Sequence, residues 1–442
     1  LRRASFFTLD NPINYIYTRN IYDIYIRSKY MRIIVPALGS RGDVQPYVNL
    51  CQGLLKAGHS AVLASLPCAK GLVESHDVEF AAVGPDVDLG AMAARVWDQS
   101  SSIWWLGFLR VMQLGAKLVE QVYPDLLELC RGADLVVVTD TSAGAAEADK
   151  LGIPWVSVTL QPLRVPKEKE PIKSLRARFN DVVWFFLGRM LIAPINNFRK
   201  RVGAPLVKGI VSSGIMSDRL LLLPSSPNVV TLDPKWPPYV KMTGFWFPDL
   251  APDFQPPADL QRFLHAGAPP IVICLGAMSM SGENAVRAAD ISLQAVRKAG
   301  VRAVIQGWDD ILRGREMPPE IIHAGPVPHL WLLEYAAGIV HHGGAGTTAT
   351  GFRSGKPALI IPHIIDQFYW SQRAEALGAG PAPIPRPKLT VENLAAGMRQ
   401  IIDDPAIRDR AAEIGRKIRA EGNGVEHAVR CIEETMTKEP PC

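Results

Sequence analysis

The 442-residue chain has no stretch approaching 18 uninterrupted apolar residues, so no membrane-spanning helix is expected. It is poor in cysteine, with six, at positions 51, 68, 130, 274, 431 and 442, and no Cys-x-x-Cys pair. That argues against a disulfide framework and the usual zinc spacings. It fits free thiols in a reducing, cytoplasmic compartment. Net charge is small: 48 Lys and Arg against 43 Asp and Glu leave +5. This is too mild to argue for a nucleic-acid partner, and no aromatic-basic RNA signature accompanies it. What the chain does have is ordinary for a globular protein, with 48% hydrophobic residues and length enough for two or three domains.

Residues 1–30 lack an apolar core of signal-peptide type. They carry five tyrosines, two phenylalanines and five basic residues. A poorly ordered extension over 1–30 is expected, with the fold opening at Met31. A basic aromatic arm touching a membrane is the other reading.

From Met31 the pattern is β-α-β. Met31–Leu38 is an apolar, β-branched run, followed by the turn Gly39-Ser40-Arg41-Gly42-Asp43. Pro46 suits the first turn of the next helix, and Ala61–Ala64 is the second strand. Further strands are expected at Leu135–Val138 and Trp155–Val158, with Asp140 just past the first of them. Such parallel sheets bind ligands beyond the carboxyl ends of their strands, where Asp43 and Asp140 fall. Residues 163–214 break the alternation: a basic-apolar stretch over 164–201 surrounds an apolar segment at 182–192. It reads either as an inserted helical pair with a solvated basic face or as an acceptor pocket whose rim rests on an anionic membrane.

Proline density marks a linker at 246–257. A second β-α-β series then opens at Pro270–Leu275 with the turn Gly276-Ala277-Met278. The expected domains are 31–245 and 258–422, with a helix and tail at 423–442. The most informative stretch is His341-His342-Gly343-Gly344-Ala345-Gly346-Thr347-Thr348, between an apolar run and a helical one. A strand, a glycine turn and a helix start expose unpaired N–H groups and a positive dipole end, a seat for a diphosphate. A tight connection without a ligand is the plainer alternative. Asp366 and Gln367 are expected on a loop leading into the next helix.

The motif Gly39-Ser40-Arg41-Gly42-Asp43-Val44-Gln45-Pro46 resembles the opening of the sterol and antibiotic-aglycone glycosyltransferases, GT-B proteins of glycosyltransferase family 1. The blocks Ala324–His329, His341–Thr348 and Pro362–Trp370 are similar to the donor-binding signature of that family. The resemblance runs from about Met31 to Thr435. It implies an α/β fold of two doubly wound domains facing across a crevice. It implies an inverting transfer of a hexose from a UDP- or dTDP-sugar to a lipophilic acceptor hydroxyl, with no bound metal and no cofactor. Asp43 matches the base, with a helix cap as its other reading. Asp140 either assists the acceptor or merely ends a strand. His342, Gly344, Ala345, Gly346 and Thr347 match the diphosphate seat, with the helix end and His342 supplying positive charge. Ser40, Arg41 and Gly42 border it from the first domain. Asp366 and Gln367 match the pair that holds sugar hydroxyls, and Trp308 and the backbone at Val327 the nucleobase. Trp308 reads equally as a core residue. Ala277 stands where the family has serine. A nucleotide-sugar epimerase and a non-catalytic nucleotide-sugar or lipid-binding protein remain as alternatives.

Overall fold

The computed structural model describes residues 30–90, 92, 104–166, 192–207, 215–249, 254–275 and 282–437. The sequence features at 1–29, 167–191, 250–253 and Gly276-Ala277-Met278 lie outside these.

Two parallel sheets organise the chain. The first holds β1 (Arg32–Pro36), β2 (Ser60–Ser65), β3 (Glu79–Ala82), β4 (Leu135–Val138), β5 (Trp155–Val158), β6 (Leu221–Leu223) and β7 (Val240–Met242), in the order β3-β2-β1-β4-β5-β6-β7. The second holds β8 (Ile271–Cys274), β9 (Ala303–Gln306), β10 (Ile321–Ala324), β11 (Gly338–His341) and β12 (Ala358–Ile360), in the order β10-β9-β8-β11-β12. Every ladder is parallel, with Ile33 opposite Ala61 and Leu135 in the first and Val340 opposite Ile273 and Leu359 in the second.

These strands read as continuous apolar runs because both faces are covered. In the first sheet Ile33, Val35 and Leu63 pack on helix α1 (Arg41–Lys56). Ile34, Val62 and Val136 turn the other way, onto α2 (Trp104–Cys130) and α3 (Ala145–Leu151). In the second sheet Ile271, Ile273 and Val340 face α4 (Gly282–Ala299) and later helices, and Val272, Val304 and Ile339 form the opposite core. That opposite side is closed by α5 (Ala345–Ser354), α6 (Ile365–Ala376) and, beyond α7 (Val391–Asp403), α8 (Pro405–Ala420). The last helix, α9 (Gly424–Thr437), returns to the first domain: its Val425, Val429 and Ile432 share a core with Tyr47, Leu50 and Leu54 of α1.

Three expectations are corrected. Helix α1 begins at Arg41 rather than near Pro46, which therefore sits inside the helix and leaves one carbonyl without its N–H donor. The helix starts early because the Asp43 carboxylate accepts from the N–H of Ser40 at the N-cap. Asp366 and Gln367 lie within the first turn of α6 rather than on a loop before it. The first linker residue, Trp246, is buried in the first core, and Phe245 just before it is buried in the second. Of the basic stretch 164–201, residues 164–166 and 192–201 are described. Arg164 pairs with Asp140, Arg199 with Asp149 and Arg201 with Glu120. Among the described residues no helix is long and apolar enough to cross a membrane. Cys51, Cys130, Cys274 and Cys431 are buried and Cys68 is exposed, none of them in a disulfide.

Candidate active site

The carboxyl edges of the two sheets meet across a crevice, and the acids and donors singled out in the sequence gather there. Asp43 occupies the third position of α1. Its Oδ2 accepts from the Ser40 N–H and the Ser40 hydroxyl, both at 2.8 Å. The turn allows this because Gly39, at φ +149°, has no Cβ; one there would lie 2.5 Å from the Asp43 side chain. The cap therefore uses one oxygen and leaves Oδ1 to the crevice, so the capping and base readings of Asp43 are compatible. Asp43 is exposed by surface area, although protein surrounds its carboxylate closely. Burial pushes its pKa up, with the nearby charge of Asp140 adding to the rise and the Ser40 hydrogen bonds opposing it.

Asp140 is not free. It accepts from the Thr159 hydroxyl at 2.7 Å, the Leu160 N–H at 3.0 Å and Arg164 at 3.0 Å. The same Arg164 nitrogen also donates to the Asp140 carbonyl at 2.9 Å. Arg164 gives Asp140 the partner that the sequence did not reveal. The pair fixes the loop after β5 against the crevice wall.

Across the crevice the glycine turn joins β11 to α5. His341 is fully buried, and its Nδ1 accepts from the Gly343 N–H at 3.1 Å, which shapes the turn. Gly343 sits at φ +93° against Ile360 and Gln367. Gly344 caps α5 with no side-chain hydrogen bond, so the first N–H groups of the helix, from Ala345 to Thr347, are open to an anion. A Cβ on Gly344 would lie 2.5 Å from His342 Nε2, whereas one on Gly346 would meet nothing within 4 Å. The first glycine seats the imidazole; the second leaves room. Thr348 donates to the Gly344 carbonyl within its own helix at 2.9 Å and is buried, so it adds no donor to the seat.

His342 is held neutral. Burial lowers its pKa to about 4, against a smaller upward pull from the Cys274 backbone. In the protein alone burial favours the neutral imidazole, which offers a hydrogen bond, while Arg41 is exposed.

Asp366 is half-buried, and its pKa rises to about 6 through burial, with the charges of Asp43 and Asp140 contributing. Carboxylates of both domains thus feel one another across the crevice. Gln367 is buried, and its Oε1 accepts from the N–H groups of His363 at 2.7 Å and Ile364 at 3.2 Å. Only its amide hydrogens remain to be shared.

Trp308 stands past β9 with φ 58°, half-buried against the second core. Val327 is buried, and its carbonyl accepts from Gln306 at 3.3 Å, as the Gly325 carbonyl does at 3.1 Å. Gln306 was missed in the sequence, where a polar residue at a strand end carries no distinguishing signal. His329 was missed as a site residue although it closes the Ala324–His329 block.

This geometry can be set beside known proteins. Residues 304–434 match the erythromycin biosynthesis protein CIII-like C-terminal domain. An O-mycaminosyltylonolide 6-deoxyallosyltransferase of Streptomyces fradiae is 30% identical over 418 residues, covering 91% of this chain and 97% of the relative. The chain belongs to the sterol- and antibiotic-glycosyltransferase family. A second member of that glycosyltransferase family, a sterol 3-beta-glucosyltransferase of Komagataella phaffii, is 31% identical over 440 residues. The match takes 93% of this chain but 35% of that relative, so the chain spans about a third of its length. Among solved structures, the glycosyltransferase VinC in complex with dTDP superposes with a TM-score of 0.64 at 22% identity, covering 92% of this chain and 99% of that one. The two-domain architecture is that of the GT-B glycosyltransferases.

Proposed function

We propose that the chain transfers a hexose, with inversion, from a nucleotide-diphosphate sugar to a hydroxyl of a lipophilic acceptor such as a sterol, terpenoid or polyketide aglycone. The observation that carries this reading is the contact of α1, whose Asp43 keeps one carboxylate oxygen unengaged, with α5, whose start has no side-chain cap. In a single displacement the acceptor oxygen forms its bond to the anomeric carbon while the bond to the diphosphate oxygen breaks. The acceptor proton goes to Asp43 and the bonding pair leaves with the diphosphate. Ala345, Gly346 and Thr347 offer N–H groups to that leaving group, and His342 a hydrogen bond. Ser40, Arg41 and Gly42 border it, with Arg41 supplying charge. Asp366 and the amide of Gln367 hold sugar hydroxyls, and Trp308 and Val327 border the base. Asp140, locked by Arg164, positions the acceptor side rather than taking the proton.

The relatives support sugar transfer, and the dTDP complex of VinC supports a nucleotide donor. Neither decides between UDP and dTDP. The test is a donor-by-acceptor screen read by mass spectrometry, with UDP-glucose and dTDP-sugars against sterol, terpenoid and polyketide acceptors. Product is expected with EDTA present as without it. Asp43→Asn is expected to lower kcat by at least about 100-fold with an unchanged melting temperature. Turnover surviving that substitution would remove Asp43 from the base role.

A further inference from the structure

Tyr47 carries a hydroxyl that the packing of the fold does not explain. The residue is 2% exposed and stands one turn after Asp43 in α1, on the buried face with Val44 and Val48. Residues four apart share a helix face, and long side chains lean back towards the helix start. The ring therefore runs from its own turn towards the one that carries Asp43. Its core places it at the carboxyl edge of the sheet. Tyr47 shares that core with Ala37, Val137 and Val158, which lie just before the Gly39 turn, Asp140 and Thr159. Trp246, where the chain crosses between domains, meets the ring edge-on with centroids 6.4 Å apart.

The hydroxyl is sealed from solvent and, among the described residues, makes no hydrogen bond of ordinary length. Burial raises its pKa well above the usual phenol value; Asp140 and then Asp43 add to the rise, and Arg164 and the Asp140 backbone oppose it. An N–H can serve only the oxygen, so the hydroxyl proton is left without an acceptor. A buried donor in that state costs stability, and a phenylalanine would fill the same core without the cost. The two carboxylates nearby differ in what they can take. Asp140 is already engaged by Thr159, Leu160 and Arg164. Asp43 keeps one oxygen unengaged after the Ser40 bonds to the other.

We propose that Tyr47 is a positioning residue for Asp43: its hydroxyl donates to the free carboxylate oxygen, directly or across one water, and holds that carboxylate ionised. This rests on the base reading of Asp43 above and deepens it. The same side chain lies against the Asp140 loop, so one residue sets both acids. The charged groups around the pair are Asp140 and Arg164 in the first domain, Arg41 on α1 itself, and Asp366 across the crevice. The acids among them disfavour charge on Asp43, and Tyr47 offsets them.

Tyr47→Phe on the full chain tests this, because it removes the hydroxyl and keeps the ring. The variant is expected to melt no lower than the wild type. A donor to the charged form lowers a pKa, so its loss should raise that of Asp43 by about one pH unit. Carbon-13 NMR of labelled aspartate side chains reads this, with the Asp43 signal assigned by its loss in Asp43→Asn. For a donor–acceptor pair that turns over, kcat should fall about tenfold, and the acidic limb of kcat/KM should move up with the Asp43 titration. Calorimetric affinities for UDP and dTDP should not change. An Asp43 titration unmoved by the substitution overturns the proposal, whatever happens to the melting temperature. The NMR titration needs no turnover. A moved titration with an unmoved acidic limb therefore strikes Asp43 as the base, a separate result that leaves the contact standing.

Discussion

At the scale of single residues, the crevice trades stability for function, and Asp366 shows the trade most plainly. An isolated aspartate titrates near 3.8, whereas burial and the facing acids raise Asp366 to about 6. The folded chain therefore binds this proton more tightly than the unfolded one. The stabilisation is fully present below 3.8 and is lost as pH rises through 6. Above that, the fold carries a charge it disfavours. Asp366→Asn is expected to melt roughly 1–3 °C above the wild type at pH 8, with the gap closing by pH 4, while donor KM rises. Equal melting at pH 8 would mean that the carboxylate is better solvated than its half-buried setting implies. The histidines titrate in the opposite direction. With pKa values near 4, His329 and His342 add stability above their ordinary value of 6.5 and lose it as pH falls towards 4.

At the scale of elements, the turn between β11 and α5 divides its work among its glycines. Gly344 has an ordinary φ of −61°, so conformational freedom does not require glycine there; the 2.5 Å approach of His342 Nε2 does. Gly346 lies within α5 and faces open space. Gly346→Ala is expected to leave stability unchanged or raise it by up to about 1 kcal/mol, from helix propensity. The added methyl should nevertheless raise donor KM about tenfold by occupying the diphosphate's side of the helix. A variant both more stable and fully active would put the anion elsewhere. Helix α1 shows a related compromise. It tolerates Pro46 in its second turn, and its first turn carries Arg41 and Asp43 to the crevice.

At the scale of the whole molecule, the chain crosses between domains twice, and the crossings touch. Phe245 anchors in the second core, in contact with Trp370 at 6.3 Å, and Trp246 in the first, against Tyr47 at 6.4 Å. The return crossing runs from Glu421, which accepts from Asn228 at 2.7 Å, into Gly424. A Cβ on Gly424 would lie 2.5 Å from the Phe245 carbonyl and 2.8 Å from that of Gly244. Backbone on both sides cannot yield, so Gly424→Ala is expected to cost about 1–3 kcal/mol by overpacking. It should also separate the domains, seen as a lower melting temperature and a larger radius in small-angle scattering. An unchanged radius would place the pivot elsewhere. We expect any closure of the crevice to turn on this crossing, where Gly244 and Gly422 have φ values of +87° and +84°.

The sequence by itself determined what is local and repetitive. Apolar runs flanked by glycine turns specify doubly wound parallel sheets, and the Gly39–Pro46 and His341–Thr348 blocks carry the family and most of the candidate site. The three-residue strands β6 and β7 are too short for periodicity to reveal, and Pro46, a first-turn signal in sequence, misplaces the start of α1. The tertiary structure alone decided what depends on distance between remote residues. It paired Asp140 with Arg164, kept His342 neutral by burial and spread the linker's aromatic residues over two cores. A sequence reports a residue's chemistry, but solvation and charge partners exist only after folding, and these decide whether a histidine is a cation or an aspartate a base.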